Sequence, residues 1–234
     1  MALKFKLLEK FGGLFEGKIF RHRSSNQGDL VAIQFFEDLY DLGRSTKYVD
    51  RVNGGISVLN IQNRRHGVRA RRGDGSFGEI VPGGEPITDE GYKVKRGPIA
   101  TIEIGIEVKI IQKAMIRQID RVINDLRSQV TQFRSKGGRA TTVGIVGVNR
   151  ASSYVSYEGD QAWPTTGIGR HKHPSQEADE AIRRLETLAA PHFDEFLILP
   201  FMATNSPPYP FDWVDRKRTE LDYGAALARV SGSF

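Results

Sequence analysis

Residues 99–111, Ile-Ala-Thr-Ile-Glu-Ile-Gly-Ile-Glu-Val-Lys-Ile-Ile, constrain the fold more than any other part of the chain. Their alternation has period two, the mark of a strand, because successive side chains leave opposite faces of the pleat. Ile102, Ile104, Ile106, Val108 and Ile110 share one face; Thr101, Glu103, Gly105, Glu107 and Lys109 share the other. Residues 113–134 then carry Ile116, Ile119, Ile123, Leu126, Val130 and Phe133 at steps of three and four, an amphipathic helix stopped by Gly137-Gly138. Thr-Thr-Val-Gly-Ile-Val-Gly-Val at 141–148 is a continuous apolar run, suited to a strand covered on both faces. Strand, helix and strand in this order predict two parallel neighbours with a right-handed crossover.

The flanking sequence predicts further α/β elements. Residues 13–22 alternate loosely and read as a short strand. Residues 28–43 read as a helix, with Leu30, Ile33, Phe36, Leu39 and Tyr40 at helical spacing and Gly43 as a stop. Residues 64–82 read as a strand pair turning at Gly73-Asp74-Gly75, and Gly97-Pro98 supplies another turn. Beyond 148 the expectation is a loop at 149–174, a helix at 175–190, a strand at 195–202 and a last helix at 214–230. A single domain over 1–234 accommodates all of this, with its core at 28–148 and an extension of the same domain at 149–234.

Composition narrows the chemistry. The chain has no cysteine, which excludes a disulfide scaffold, a thiolate zinc site and a cysteine nucleophile. Its formal net charge is +6, and Arg64, Arg65, Arg69, Arg71 and Arg72 fall close together, a pattern suited to a polyanion. Arg65, Arg69 and Arg71 would share one face of a strand and could grip DNA phosphates bidentately. No stretch reaches the roughly 20 apolar residues of a membrane span, and the opening Met-Ala-Leu-Lys-Phe-Lys lacks a signal peptide's apolar run. The expectation is a cytoplasmic protein with no membrane partner.

Glu107-Val108-Lys109 is the constellation that points to a reaction. On a strand, i and i+2 project together about 7 Å apart, so a carboxylate and an ammonium face the same space. A Glu-x-Lys on a strand that leads into a helix resembles the PD-(D/E)XK nuclease superfamily, whose core runs helix, strand, strand, strand, helix, strand. The resemblance covers roughly residues 28–148. It implies a restriction-endonuclease-like mixed sheet flanked by helices, and a Mg²⁺-dependent endonuclease that hydrolyses DNA phosphodiester bonds in restriction or antiviral defence. Mn²⁺ would serve in place of Mg²⁺. Glu107 would bind the metal and Lys109 would position water. A homodimer, or a guide-directed partner such as a prokaryotic Argonaute, fits the same resemblance.

The family also needs an upstream carboxylate, and its Pro-Asp pair is absent here. If Gly97-Pro98 centres a hairpin, Glu90 faces Gly105, diagonal to Glu107, and a one-residue shift sets Asp89 opposite Glu107. Glu79 is a rival on the preceding strand. Glu103 lies on the correct face, but four strand residues span about 13 Å, so it needs a bulge at Gly105. Glu90 and Glu79 rank level, ahead of Glu103. Gln112 and Gln118 follow the motif and read as solvated helix positions or as site neighbours. His171-Lys172-His173 is too sparse for a zinc site. No P-loop lysine and no Gly-x-Ser-x-Gly elbow occurs. The aromatic and basic residues at 149–174 suit either core packing or base stacking. The competing reading is a non-catalytic nucleic-acid-binding or assembly subunit on a nuclease-like fold.

Overall fold

The computed structural model describes residues 4–21, 27–60, 74–135 and 139–234. In chain order the elements are α1 (Lys6–Gly12), α2 (Gln27–Leu42), α3 (Thr46–Asn53), β1 (Ser57–Asn60), β2 (Gly75–Glu79), β3 (Arg96–Gly97), β4 (Ile104–Ile111), α4 (Met115–Arg134), β5 (Thr141–Asn149), β6 (Val155–Glu158), β7 (Gln161–Pro164), α5 (Ala178–Leu188), β8 (Glu195–Ala203), β9 (Phe211–Trp213) and α6 (Arg216–Ser233). Seven strands form one mixed sheet in the order β3-β1-β2-β4-β5-β8-β9, while β6 and β7 pair apart from it.

The strand, helix and strand run folds as its periodicity requires. β4 and β5 are parallel neighbours, from Ile104 beside Thr141 to Ile111 beside Val148, and α4 joins them. Every residue of β5 after Thr141 is buried, as its unbroken apolar character demands. On one side Ile104, Ile106 and Val108 enter a core with residues of α1, α2 and α6. On the other, Ile111, Val146 and Val148 pack with α4 and α5. The result is an α/β protein whose mixed central sheet carries helices on both faces. The face that bears Glu107 and Lys109 therefore lies beneath a helix. At Gly105, a side-chain carbon would come within 2.6 Å of the Phe133 ring of α4, so only glycine admits this approach.

The alternation at 99–111 yields a ladder over its second part only. Phe77 pairs with Ile104 but Ile80 bridges Ile99, so three steps along β2 match five along the other chain, a bulge. Gly78 permits it, because a side-chain carbon there would collide with the Thr101 carbonyl. The turn at Gly97-Pro98 also differs from the expected hairpin. β3 lies parallel to β1, with Leu59 beside Arg96, so β1 and β2 stand between it and β4. The strand pair expected at 64–82 has β2 as its second arm. Its partner is β1, with Leu59 beside Phe77, and residues 61–73 lie outside the described set.

Residues 13–21 do not form the strand expected over 13–22, whose last residue lies outside the described set. After α1 the chain turns through Phe15 and Glu16, whose amides both reach the Gly12 carbonyl. Phe15 stacks between Phe20, Phe201 and Phe211, so its spacing serves an aromatic cluster rather than a pleat. α2 is more buried than one stripe predicts, and two of its acids are used structurally. Glu37 accepts from the amides of Lys93 and Val94 at 2.9 and 2.8 Å. Asp38 accepts from the amides of Lys6 and Leu7 and from the Tyr223 hydroxyl, linking α1, α2 and α6. Among the described residues no helix is long and apolar enough to cross a membrane.

Ala114 carries the chain from β4 into α4 with φ 49° and ψ 42°. This left-handed geometry costs an L residue about 1–2 kcal/mol, whereas glycine adopts it freely. Ala114→Gly is therefore expected to stabilise the fold by about 1 kcal/mol, offset in part by the greater freedom of an unfolded glycine. The measurement is the urea midpoint at unchanged denaturant slope. A lower midpoint would mean that the alanine methyl is worth more in packing than the strain it imposes.

Candidate active site

The ladder between β2 and β4 sets the site. Gly75 pairs with Ile106, so Asp74, one residue earlier, comes beside Glu107, one residue later. The Asp74 carboxylate accepts the Val108 amide hydrogen at 2.7 Å. Its other neighbour is the first turn of α2, where a side-chain carbon on Gly28 would stand 2.5 Å from Asp74 Cγ. Backbone on one side and glycine on the other thus hold this carboxylate. Lys109 Nζ lies 2.7 Å from Glu107 Oε1. Glu107 is only 7 % exposed, so the pair is not a solvated surface bridge.

The charges interact strongly. Burial, then the charge of Glu107, pushes the Asp74 carboxyl up to about 7, with Asp29 adding to the effect and the Val108 amide and Lys109 opposing it. Burial alone would lower the Lys109 pKa. The charge and hydrogen bond of Glu107, with Asp74 and Asp125, outweigh it and raise the pKa above the ordinary lysine value. A buried and a half-buried carboxylate pressed together favour a bound cation or a retained proton. Among the described residues no group of three or more acidic or histidine side chains is gathered for a metal. Mg²⁺ needs less, since it keeps several waters and commonly takes one or two carboxylates plus phosphate oxygens.

Beside Lys109 opens a cavity of about 600 Å³, lined also by Gln112, Gln118 and Arg121, and reaching Tyr157 and Glu158 of the β6–β7 hairpin. Gln112 sits at the end of β4 rather than on the helix, buried, and its oxygen accepts from Asn149 at 3.2 Å. Gln118 of α4 donates to the Lys113 carbonyl. His173 shares a 2.8 Å hydrogen bond with Thr165.

The structure brings Glu107 and Lys109 together with Asp74 and does not bring the three upstream candidates to them. Glu79 ends β2, the far end from Asp74. It and Glu103 both pair with Arg51, at 2.9 and 2.7 Å, and Ser57 donates to Glu103. Glu90 is exposed at a turn before β3 and does not face Gly105, whose partner is Ser76. Asp89, the shifted alternative, pairs with Arg96. Arg65, Arg69 and Arg71 lie outside the described residues. Asp74 stood in the sequence inside Gly73-Asp74-Gly75, where a turn reading concealed it. The signal that could have found it is register, because a strand beginning at Gly75 and paired to the 104–111 strand leaves Asp74 level with Glu107.

No known protein family, curated protein or solved structure matches the chain. The chemistry of the site therefore rests on its own geometry.

Proposed function

We propose that the protein is a metal-dependent nuclease of the PD-(D/E)XK kind that hydrolyses phosphodiester bonds in DNA. The observation that carries this reading is the register that sets Asp74 beside Glu107, with Lys109 paired to Glu107 and lining the adjoining cavity. The order α2, β1, β2, β4, α4, β5 supports it, interrupted by α3 before β1 and by β3 before β4, with β1, β2 and β4 successively antiparallel and β5 parallel to β4.

Asp74 and Glu107 would hold Mg²⁺ or Mn²⁺. Such an ion, when bound, lowers the pKa of the attacking water and neutralises phosphate charge. Lys109 Nζ would orient that water or stabilise negative charge gathering on the phosphate oxygens. The Val108 amide holds the Asp74 carboxylate in place beside Glu107, and Gly28 leaves room for it.

The test is supercoiled plasmid incubated with the protein in Mg²⁺ or in EDTA. Nicked and linear products should form only with the metal. Equal cleavage in EDTA, or none in either Mg²⁺ or Mn²⁺, would overturn the reading. Binding without cutting would identify a non-catalytic nucleic-acid-binding subunit.

A further inference from the structure

β6 and β7 make a two-residue hairpin, with Glu158 beside Gln161 and a positive φ of 60° at Gly159. A second cavity of about 380 Å³ joins residues of this hairpin to the start of α4. It shares Lys113, Ala114, Ser156 and Glu158 with the cavity beside Lys109, so the two form one continuous groove. Its outer part is lined by Lys113 just before α4, by Arg117 of α4, by Arg170 and Lys172 after the hairpin, and by Trp163 of β7. Among the described residues, four cations stand there against the carboxylate of Glu158. Trp163 is 52 % exposed, whereas Trp213, the only other tryptophan, is buried against Phe11 and Phe211.

We propose that this groove holds an unpaired nucleic-acid strand, one base stacked on Trp163 and its phosphates on Lys113, Arg117, Arg170 and Lys172. The strand's destination at Lys109 rests on the nuclease reading; the binding itself does not. A duplex turns its base faces inward and offers Trp163 nothing to stack, while an unpaired strand exposes one face per nucleotide. Stacking on an aromatic flanked by cations tolerates any base, because every base has a π face. The charge balance agrees: burial lowers the Lys113 pKa and Glu158 only partly opposes this, so a phosphate there would further favour the charged ammonium.

The experiment uses the full chain in EDTA, with oligo(dT), oligo(rU) and a DNA duplex of equal length, read by anisotropy and by intrinsic fluorescence. Both single strands should quench the tryptophan emission, and the tighter of the two identifies the sugar preferred. The duplex should bind more weakly than the better single strand. Trp163→Ala should weaken single-strand binding roughly tenfold, and Trp163→Phe should recover most of it. A Lys113→Ala, Arg117→Ala double variant should flatten the salt dependence by about one to two phosphates' worth of slope. Unchanged single-strand affinity in Trp163→Ala, or unquenched wild-type fluorescence, overturns the proposal. Should Trp163→Ala fail to fold, wild-type quenching and the Trp163→Phe affinity still decide it. If the groove fails while the plasmid is still cut with Mg²⁺, the nuclease reading stands alone. If single strands bind as described and nothing is cut, the groove stands without it.

Discussion

On the proposed nuclease function, Lys109→Ala is expected to lower single-turnover cleavage by about a hundredfold or more, the usual scale for losing one electrostatic stabiliser of a transition state. Its position explains why. The ammonium lies against Glu107 at 2.7 Å, close enough to act on the same water or phosphate oxygen. The variant also leaves the buried Glu107 without its ion-pair partner, so stability should fall by about 2 kcal/mol in the absence of metal and recover as Mg²⁺ is added. Asp74→Asn separates catalysis from folding more cleanly. Its amide oxygen can still accept the Val108 hydrogen, and the charge that burial and Glu107 resist is gone. Thermal stability should hold or rise while cleavage falls at least as far as in Lys109→Ala, with weaker metal dependence. The measurement is single-turnover cleavage over a Mg²⁺ titration beside thermal melting. A folded Lys109→Ala or Asp74→Asn protein that cuts at the wild-type rate would reduce the cluster to a buried structural ion pair.

Asp38→Ala should be the most damaging single change to the fold, costing about 3 kcal/mol or more. Asp38 is 4 % exposed and satisfies three donors, the amides of Lys6 and Leu7 and the Tyr223 hydroxyl, at 2.8, 3.0 and 2.8 Å. Alanine would strand these donors in or near the core, and each orphaned buried donor costs about 1–3 kcal/mol. Tyr223→Phe removes only one hydroxyl and should cost about 1 kcal/mol. In a protein of this size the Asp38→Ala loss corresponds to a fall of roughly 10 °C in Tm. Equal urea midpoints for Asp38→Ala and Tyr223→Phe would mean that the α1 amides find other acceptors.

Periodicity carried the centre of the molecule. The β4, α4, β5 unit and the joint projection of Glu107 and Lys109 followed from alternation and helical spacing alone. The partner of Glu107 did not, because partnership between strands depends on register, and register here depends on a bulge. Gly78 admits the Thr101 carbonyl, a close approach that no local pattern announces. The reading of 97–98 as a hairpin failed for a related reason. β3 pairs with β1 across a connection that sequence spacing cannot rank against the local alternative. α2 concealed its two structural acids because a helix stripe predicts polar residues outward, whereas Glu37 and Asp38 are buried by the amides they accept. The β6–β7 hairpin hid in an expected loop, although Gly159-Asp160 is a turn of the hairpin kind.

Among the described residues the hairpin shares no ladder with the main sheet. Its attachment includes the Val155 amide on Thr204, the Val155 carbonyl on Asn205, and the Thr165 contacts with Tyr154 and His173. Asp74, Glu107 and Lys109 are instead built into or against the central ladder. Mutations on the exposed β7 therefore meet little resistance from the core, while those at the acids disturb several strands at once. A lineage could exchange the tip of this hairpin, its length or its aromatic residue, and explore new ligands while the machinery beneath stayed constant. Variation among descendants of this chain should accordingly concentrate at 155–172 and be sparse at Asp74, Glu107 and Lys109.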